Sequence, residues 1–231
     1  MDVTVFHSPE RPITSEDLRR LRSLGITTVA LSPVPPPSSE WGSANERVLR
    51  ASRSLGAVPV AGASPQGLQR RDLRLDGFRG LRLYASGSRV AREALNCALS
   101  LAEEAGLPLI VQVRLKWGDP MGIDLGELCS AASEFRGVPV VLSGVNYSEN
   151  VELATAASRA PNICVDIAYH QGLLGVEFLV RRLGSKRVLF GTAYPLMYPE
   201  CSVLKVLMAR LSGSERYDVL CGNAERLLRL G

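Results

Sequence analysis

Arg187-Val188-Leu189-Phe190-Gly191-Thr192-Ala193-Tyr194-Pro195 is the stretch whose reading decides the fold. Val188 to Phe190 reads as a short apolar strand that runs into a polar loop and stops at a proline. Three or four apolar residues bounded by Gly and Pro suit a strand buried on both faces, the kind found in parallel sheets covered by helices.

Working outward, the same unit recurs. Val3–Phe6, Ile26–Leu31, Ala57–Val60, Gly80–Tyr84, Leu109–Val113, Val138–Leu142, Ile163–Ile167 and Val188–Phe190 are apolar strand segments. Helical patterns stand between them, at Ser15–Leu24, Asn45–Leu55, Arg89–Ala105, Leu125–Phe135, Ser148–Ser158 and Gly175–Leu183, with a short helical or irregular stretch at Gln66–Leu73. Thr14 or Ser15 is a fitting N-cap for the first helix, and Gly25 its stop. The tract from Ser32 to Ser39, with four prolines, reads as a rigid loop able to enter neither sheet nor helix. Two helices, Ser202–Leu211 and Ser214–Leu228, close the chain. Strand then helix, eight times, predicts parallel strands joined by right-handed crossovers. The rival is an open doubly wound sheet; eight units and no Gly-rich loop after the first strand favour a closed α/β (β/α)8 TIM barrel over residues 1–231 as a single domain.

Composition narrows the functional classes. The 231 residues carry 46% hydrophobic and 22% charged residues, the balance of a globular chain. No apolar run approaches the roughly 18 residues of a membrane span, and the first residues lack a basic-then-apolar leader, so a cytoplasmic location without membrane association is expected. The net charge of +4 comes from scattered arginines, which argues against a nucleic-acid surface. Five cysteines are odd in number and widely spaced, with no C-x-x-C pair, so they read as structural.

Four segments carry a family likeness. The opening stretch resembles the last barrel strand of amidohydrolase family 2 proteins, roughly R-[IV]-L-F-G-[ST]-D-[YW]-P, with Ala193 in the aspartate's place. Gly77-Phe78-Arg79-Gly80-Leu81-Arg82-Leu83-Tyr84 resembles that family's G-F-[KR]-G-[IL]-[KR]-L strand, Leu107-Pro108-Leu109-Ile110-Val111 its L-P-V-x-[VI] run, and Cys221-Gly222-Asn223-Ala224-Glu225-Arg226-Leu227-Leu228 its closing G-N-A-x-R-L-L helix. The resemblance implies a site at the carboxyl ends of the strands. There an H-x-H pair, two further histidines and an aspartate would hold a divalent metal that acidifies a bound water. This chain has two histidines, His7 and His170. The H-x-H pair becomes Val5-Phe6-His7, the fifth-strand histidine maps to Gln112, the sixth to Ser143 or Gly144, and the aspartate to Ala193. On that mapping the expectation is no cofactor, with one divalent metal as the weaker alternative.

Strand alternation then predicts what fills the barrel mouth. Arg82 and Tyr84 share a face of the fourth strand, Gln112 and Arg114 a face of the fifth, and Cys164, Asp166, Ala168 and His170 a face of the seventh. His7 ends the first strand, Asn146 and Tyr147 follow the sixth, and Tyr194 adjoins the missing aspartate. The expected site is a polar cavity with His7, His170 and Asp166 as catalytic groups and Arg82, Gln112, Arg114, Asn146 and Tyr194 as substrate-binding groups. Asp166 is the expected partner of one arginine, and the surplus positive charge is expected to take an anionic small molecule. Beside this stand plainer roles: His7 as a strand cap, His170 bonding to local backbone, Arg82 as a member of a structural ion pair, Gln112 satisfying backbone groups, Tyr194 packing, Asp119 and Asp124 solvated in a loop. Three functions compete: a metal-independent enzyme or binder of small anions; a metal-dependent hydrolase or decarboxylase using His7, His170 and Asp166; and a catalytically inactive barrel serving as subunit or scaffold. A homo-oligomer is compatible with each.

Overall fold

The computed structural model describes residues 1–36, 40–68, 73–85, 89–116 and 118–230. The expected features at 37–39 and 69–72 lie outside them. The strands are β1 (Asp2–His7), β2 (Val29–Pro33), β3 (Val58–Pro59), β4 (Ala61–Ala63), β5 (Leu81–Tyr84), β6 (Leu109–Gln112), β7 (Val140–Ser143), β8 (Ile163–Asp166) and β9 (Val188–Leu189). The helices are α1 (Ser15–Ser23), α2 (Trp41–Leu55), α3 (Pro65–Leu68), α4 (Arg92–Ala105), α5 (Leu125–Glu134), α6 (Asn150–Ala157), α7 (Gly175–Leu183), α8 (Pro199–Leu207), α9 (Gly213–Tyr217) and α10 (Asn223–Leu227).

All strand pairings are parallel, in the orders β1-β2-β3 and β4 through β9. β3 and β4 are one stave interrupted at Val60, whose N–H still donates to Leu31 O at 2.9 Å. The ring closes between its last and first staves: Val3 N–H donates to Phe190 O (3.1 Å), Phe6 N–H to Tyr194 O (2.8 Å), and Val5 bridges Tyr194 in parallel. The chain is a (β/α)8 barrel. No helix among the described residues is long and apolar enough to cross a membrane.

The alternation read from the sequence sorts the core. Leu81, Leu83, Leu109, Val111, Val140, Leu142, Ile163 and Val165 face outward into the layer shared with the helices. Val3, Ala30, Val60, Ile110, Val141, Cys164 and Leu189 fill the inside, plugged by Ala224, Leu227 and Leu228 at the chain's end. Each buried Leu, Ile or Val contributes about 1.5–3 kcal/mol relative to exposure, so the two layers dominate the stability.

Several boundaries differ from expectation for local reasons. Pro33 and Ser32 belong to β2, contrary to the rigid-loop reading: Pro33 is the strand's last residue, where an absent N–H removes no needed bond, and its carbonyl accepts the Tyr84 hydroxyl. α2 begins at Trp41 rather than Asn45, because Trp41 is buried and stacks on Tyr84 at 5.3 Å. α4 begins at Arg92 rather than Arg89, and the first closing helix is Pro199–Leu207, started by a proline in its first turn. The second is broken by a π-helical turn over Asp218–Gly222. Thr14 is the N-cap of α1, in a reciprocal box with Asp17.

Asn45 shows how a helix is tied to the barrel: its amide accepts from Gly62 N (2.7 Å) and donates to Gly62 O (2.9 Å). A Cβ on Gly62 would stand 2.6 Å from Pro33 Cγ and 2.7 Å from Trp41 Cζ3. Neither ring can yield, so Gly62→Ala is expected to destabilise by about 1–3 kcal/mol. Urea denaturation measures it, and an unchanged midpoint would refute this packing.

Candidate functional site

At the centre of the barrel the Arg82 side chain is fully buried. Its Nε–H donates to Ser32 Oγ (2.9 Å), Nη1 to Gln112 Oε1 and to Ser143 Oγ (3.3 Å), and Nη2 to Val3 O (2.9 Å) and Thr4 Oγ1 (3.3 Å). The Phe6 ring lies against the guanidinium at 5.4 Å. Every acceptor is neutral. The register irregularity of β1 between Asp2 and Val5 accompanies the inward turn of the Thr4 hydroxyl, which accepts from Arg82 and donates to Asp166 Oδ2 at 2.6 Å. Charge is thus balanced through one bridging hydroxyl, and burial lowers the Arg82 pKa.

This arrangement corrects the expected polar cavity. Arg82, Gln112 and Asp166 are buried with no exposure, and Gln112 spends its amide N–H on Arg114 O (2.6 Å). Above them Phe6, Trp41, Tyr84, Ala168, Tyr169 and Ala193 pack into one apolar cluster, and burial raises the Tyr84 and Tyr169 hydroxyl pKa values. Asp166 does not pair directly with an arginine, because Thr4 stands between. Arg114 is not inside the barrel: it lies past the end of β6 and forks onto Glu149 at 3.3 Å while reaching Gly144 O at 2.7 Å. The surplus positive charge expected from Arg82 and Arg114 is therefore consumed internally. Asn146 caps the turn Tyr147–Glu149 and also accepts from Gln171 N at 3.2 Å, pinning two neighbouring loops. Asp119 and Asp124 likewise bond to backbone, at Lys116 N (2.8 Å) and Glu127 N (2.7 Å).

The two histidines serve different openings. His7, half-buried at the end of β1, accepts Ile13 N–H on Nδ1 (3.2 Å) and lines a cleft of about 290 Å³ with Pro33, Val34, Glu40 and Arg47. Burial first, then Arg47, lowers its pKa. His170, 1% exposed, meets Asn150 Oδ1 through Nε2 (2.8 Å), while its Nδ1 has no partner. It borders a separate hollow with Lys205, Leu174 and Met208. Burial first, then Lys205, lowers its pKa to about 4. Lys205 itself donates to Ile167 O (2.7 Å), His170 O (3.2 Å) and Ala168 O (3.3 Å), and burial lowers its pKa to about 8.

Tyr194 lies where sequence reasoning put it, at the carboxyl end of the last stave, and its neighbours were missed. Its hydroxyl donates to Asp17 Oδ1 and accepts from Arg11 Nη2 (3.0 Å), and Arg11 and Arg20 stand 5.8 and 5.9 Å from its ring centroid. Burial would raise the Asp17 carboxyl, but bonds from Arg11, Tyr194 and Thr14 outweigh it and hold it well below the usual range. Arg11 and Arg20 keep 51% and 48% of their side chains in solvent, paired with Asp17 and Glu200. Both line a cleft of about 280 Å³ walled by Pro195, Leu196, Met197 and Tyr198. Ala193, just before it, holds a left-handed backbone (φ 57°) that an L-residue adopts at a strain of roughly 1–3 kcal/mol. The signal that could have found this cleft was positional: Arg11 follows the end of β1, and Arg20 lies one turn beyond Asp17 on α1.

The clefts beside His7 and Tyr194 lie at the carboxyl ends of the strands, the end at which (β/α)8 barrels carry their sites. The family model described as Amidohydrolase matches residues 3–230, and the chain belongs to that family. No curated protein matches it. Among solved structures, 2,6-dihydroxybenzoate decarboxylase complexed with 2,6-dihydroxybenzoate is similar at 13% identity and TM-score 0.72, over 99% of this chain and 98% of that one. An uncharacterised TIM-barrel protein from Bordetella bronchiseptica shares 23% identity at TM-score 0.71, over 94% and 83%. A dihydroxybenzoic acid decarboxylase from Polaromonas sp. JS666, with bound manganese and the inhibitor 2-nitroresorcinol, shares 13% at TM-score 0.70, over 100% and 98%. At these identities the likeness is one of fold.

The manganese-bound decarboxylases correct the expectation of a cofactor-free barrel, because the fold this chain shares is one that carries a divalent ion in its relatives. The residues present do not assemble the donor set for such an ion at His7, Asp166 and His170: among the described residues no three His, Cys, Asp or Glu side chains gather to hold one. Asp166 is committed to Thr4 and Ala168 N, and the histidines face separate hollows. The reading that used those three side chains together as a metal-dependent site is corrected on this geometry.

Proposed function

We propose that the chain recognises a small carboxylic acid with an apolar or aromatic body in the cleft between Arg11, Arg20 and Tyr194. One observation carries the reading: two guanidiniums converge on the same tyrosine ring at the carboxyl end of the last stave, and both remain half exposed. The Arg20–Glu200 pair is exposed on both sides, and exposed ion pairs are worth only about 0–1 kcal/mol, so a ligand carboxylate competes for Arg20 at small loss, while Arg11 stays bound to the buried Asp17 and adds its positive field. Arg20 uses a single nitrogen, Nη2, toward Glu200, which leaves its remaining N–H donors for a forked contact. Leu196 and the exposed Tyr198 ring offer the apolar body a wall. The benzoic acids named for similar structures support the class of ligand without deciding the member.

Calorimetric titration with 2,6-dihydroxybenzoate tests this. Binding is expected in the wild type, weakened at least about tenfold, or 1.4 kcal/mol, by Arg20→Ala and by Arg20→Lys, which keeps the charge but loses the fork. Absence of binding, or binding indifferent to both changes, would overturn it. A second reading, a barrel without a reaction of its own that serves as a subunit, is favoured by the sealed network around Arg82, and the failure of every acid to bind would leave it standing.

A further inference from the structure

Among the described residues, ten large apolar side chains stand in solvent, and five of them, Leu173, Leu174, Leu204, Leu207 and Met208, share one face. Three come from α8 and the residue after it. Leu204, Leu207 and Met208 continue a stripe begun by exposed Cys201, while Ser202, Val206 and Ala209 turn inward. Leu173 and Leu174, in the loop leading to α7, meet Met208 around a common hollow. A surface helix ordinarily turns charge outward on that side, and contiguous apolar surface of this kind marks an interaction site.

We propose that this face docks a second copy of the chain, α8 against α8 about a two-fold axis near Leu204. Area supports that occupant. The five side chains are 53–94% exposed, together the equivalent of more than three whole residues. At about 120 Å² each, the upper end implied by about 3 kcal/mol per buried Leu or Met at about 25 cal/mol per Å², they present about 400 Å² of apolar surface. A standard interface takes about 800 Å² from each partner, and in homodimers about 65% of it is apolar, or about 500 Å², so these five side chains alone supply most of the requirement. A two-fold axis across α8 makes the two helices antiparallel. The helix dipoles then also oppose each other favourably. Such an interface is isologous: each contact is made twice, and the dimer closes without growing into a fibre.

Sedimentation velocity of the full chain from nanomolar to tens of micromolar concentration tests it. A species of twice the chain mass is expected. Leu204→Glu, which sets two carboxylates at the axis, is expected to raise the dissociation constant at least about 100-fold with an unchanged circular dichroism spectrum. Met208→Glu, at a side chain 79% exposed, is expected to weaken the dimer without touching the core and serves if Leu204→Glu fails to fold. A wild-type monomer across the range, as a surface kept for a different protein would give, overturns the proposal. A dimer indifferent to both changes does so equally.

Discussion

Arg82→Ala is expected to abolish folding or to lower stability by about 3–5 kcal/mol, the largest loss of any single change considered. Among the described residues Arg82 is the largest side chain with no exposure, and its guanidinium reaches five acceptors on four staves. Its removal strands Ser32, Ser143, the Gln112 carbonyl and Val3 O in a closed interior, where each unpaired buried group costs about 1–3 kcal/mol. It also leaves Asp166 without the cation that balances it through Thr4. Arg82→Met separates volume from polarity: it fills much of the space but satisfies no acceptor, so it is expected to recover only part of the loss. Urea denaturation checks both. If Arg82→Met were as stable as wild type, the polar network would be incidental and shape alone would hold the barrel centre.

The second large effect is a dependence on pH. His170 is neutral in the fold, its pKa brought down to about 4 by burial and by Lys205. In the unfolded chain it titrates at the ordinary value of about 6.5. As pH falls below about 6.5 the unfolded chain therefore takes up the proton first, and stability drops until pH 4, where the folded ring protonates too. The interval corresponds to about 3 kcal/mol. Asp2 works in the opposite sense: burial raises its carboxyl to about 6, so its contribution is full below the ordinary carboxylate value and is lost as pH rises through 6. Wild type and His170→Phe share Asp2, so the difference between their stability–pH curves isolates the histidine. The variant is expected to lose most of the drop between pH 6.5 and 4. Parallel curves in that window would place the His170 proton equilibrium outside folding.

How far the residues themselves disclosed this molecule depended on the range of the forces involved. Strand periodicity at Leu81–Tyr84, Leu109–Gln112 and Ile163–Asp166 was legible because alternation is local, and it assigned Arg82, Gln112 and Asp166 to the inner face correctly. What alternation does not carry is distance across the barrel. Whether those side chains line an opening or close on one another depends on Thr4, Ser32 and Ser143, small hydroxyls on other staves. The same limit separated His7 from His170. His7 ends β1 and His170 lies four residues past β8, and one turns toward Ile13 while the other turns toward Asn150. Tyr194 was anticipated from its neighbour in the motif, whereas Arg11 and Arg20 reach its ring only because α1 returns beside the last stave.

Where a ligand sits is the most direct question to put to this barrel. A crystal of the wild-type protein soaked with 2,6-dihydroxybenzoate is expected to show the acid between Arg11, Arg20 and Tyr198, with the Arg82 contacts to Ser32, Gln112 and Val3 unbroken. Density for the acid on the barrel axis, with Arg82 drawn aside to meet it, would contradict the rim as the working surface of this protein.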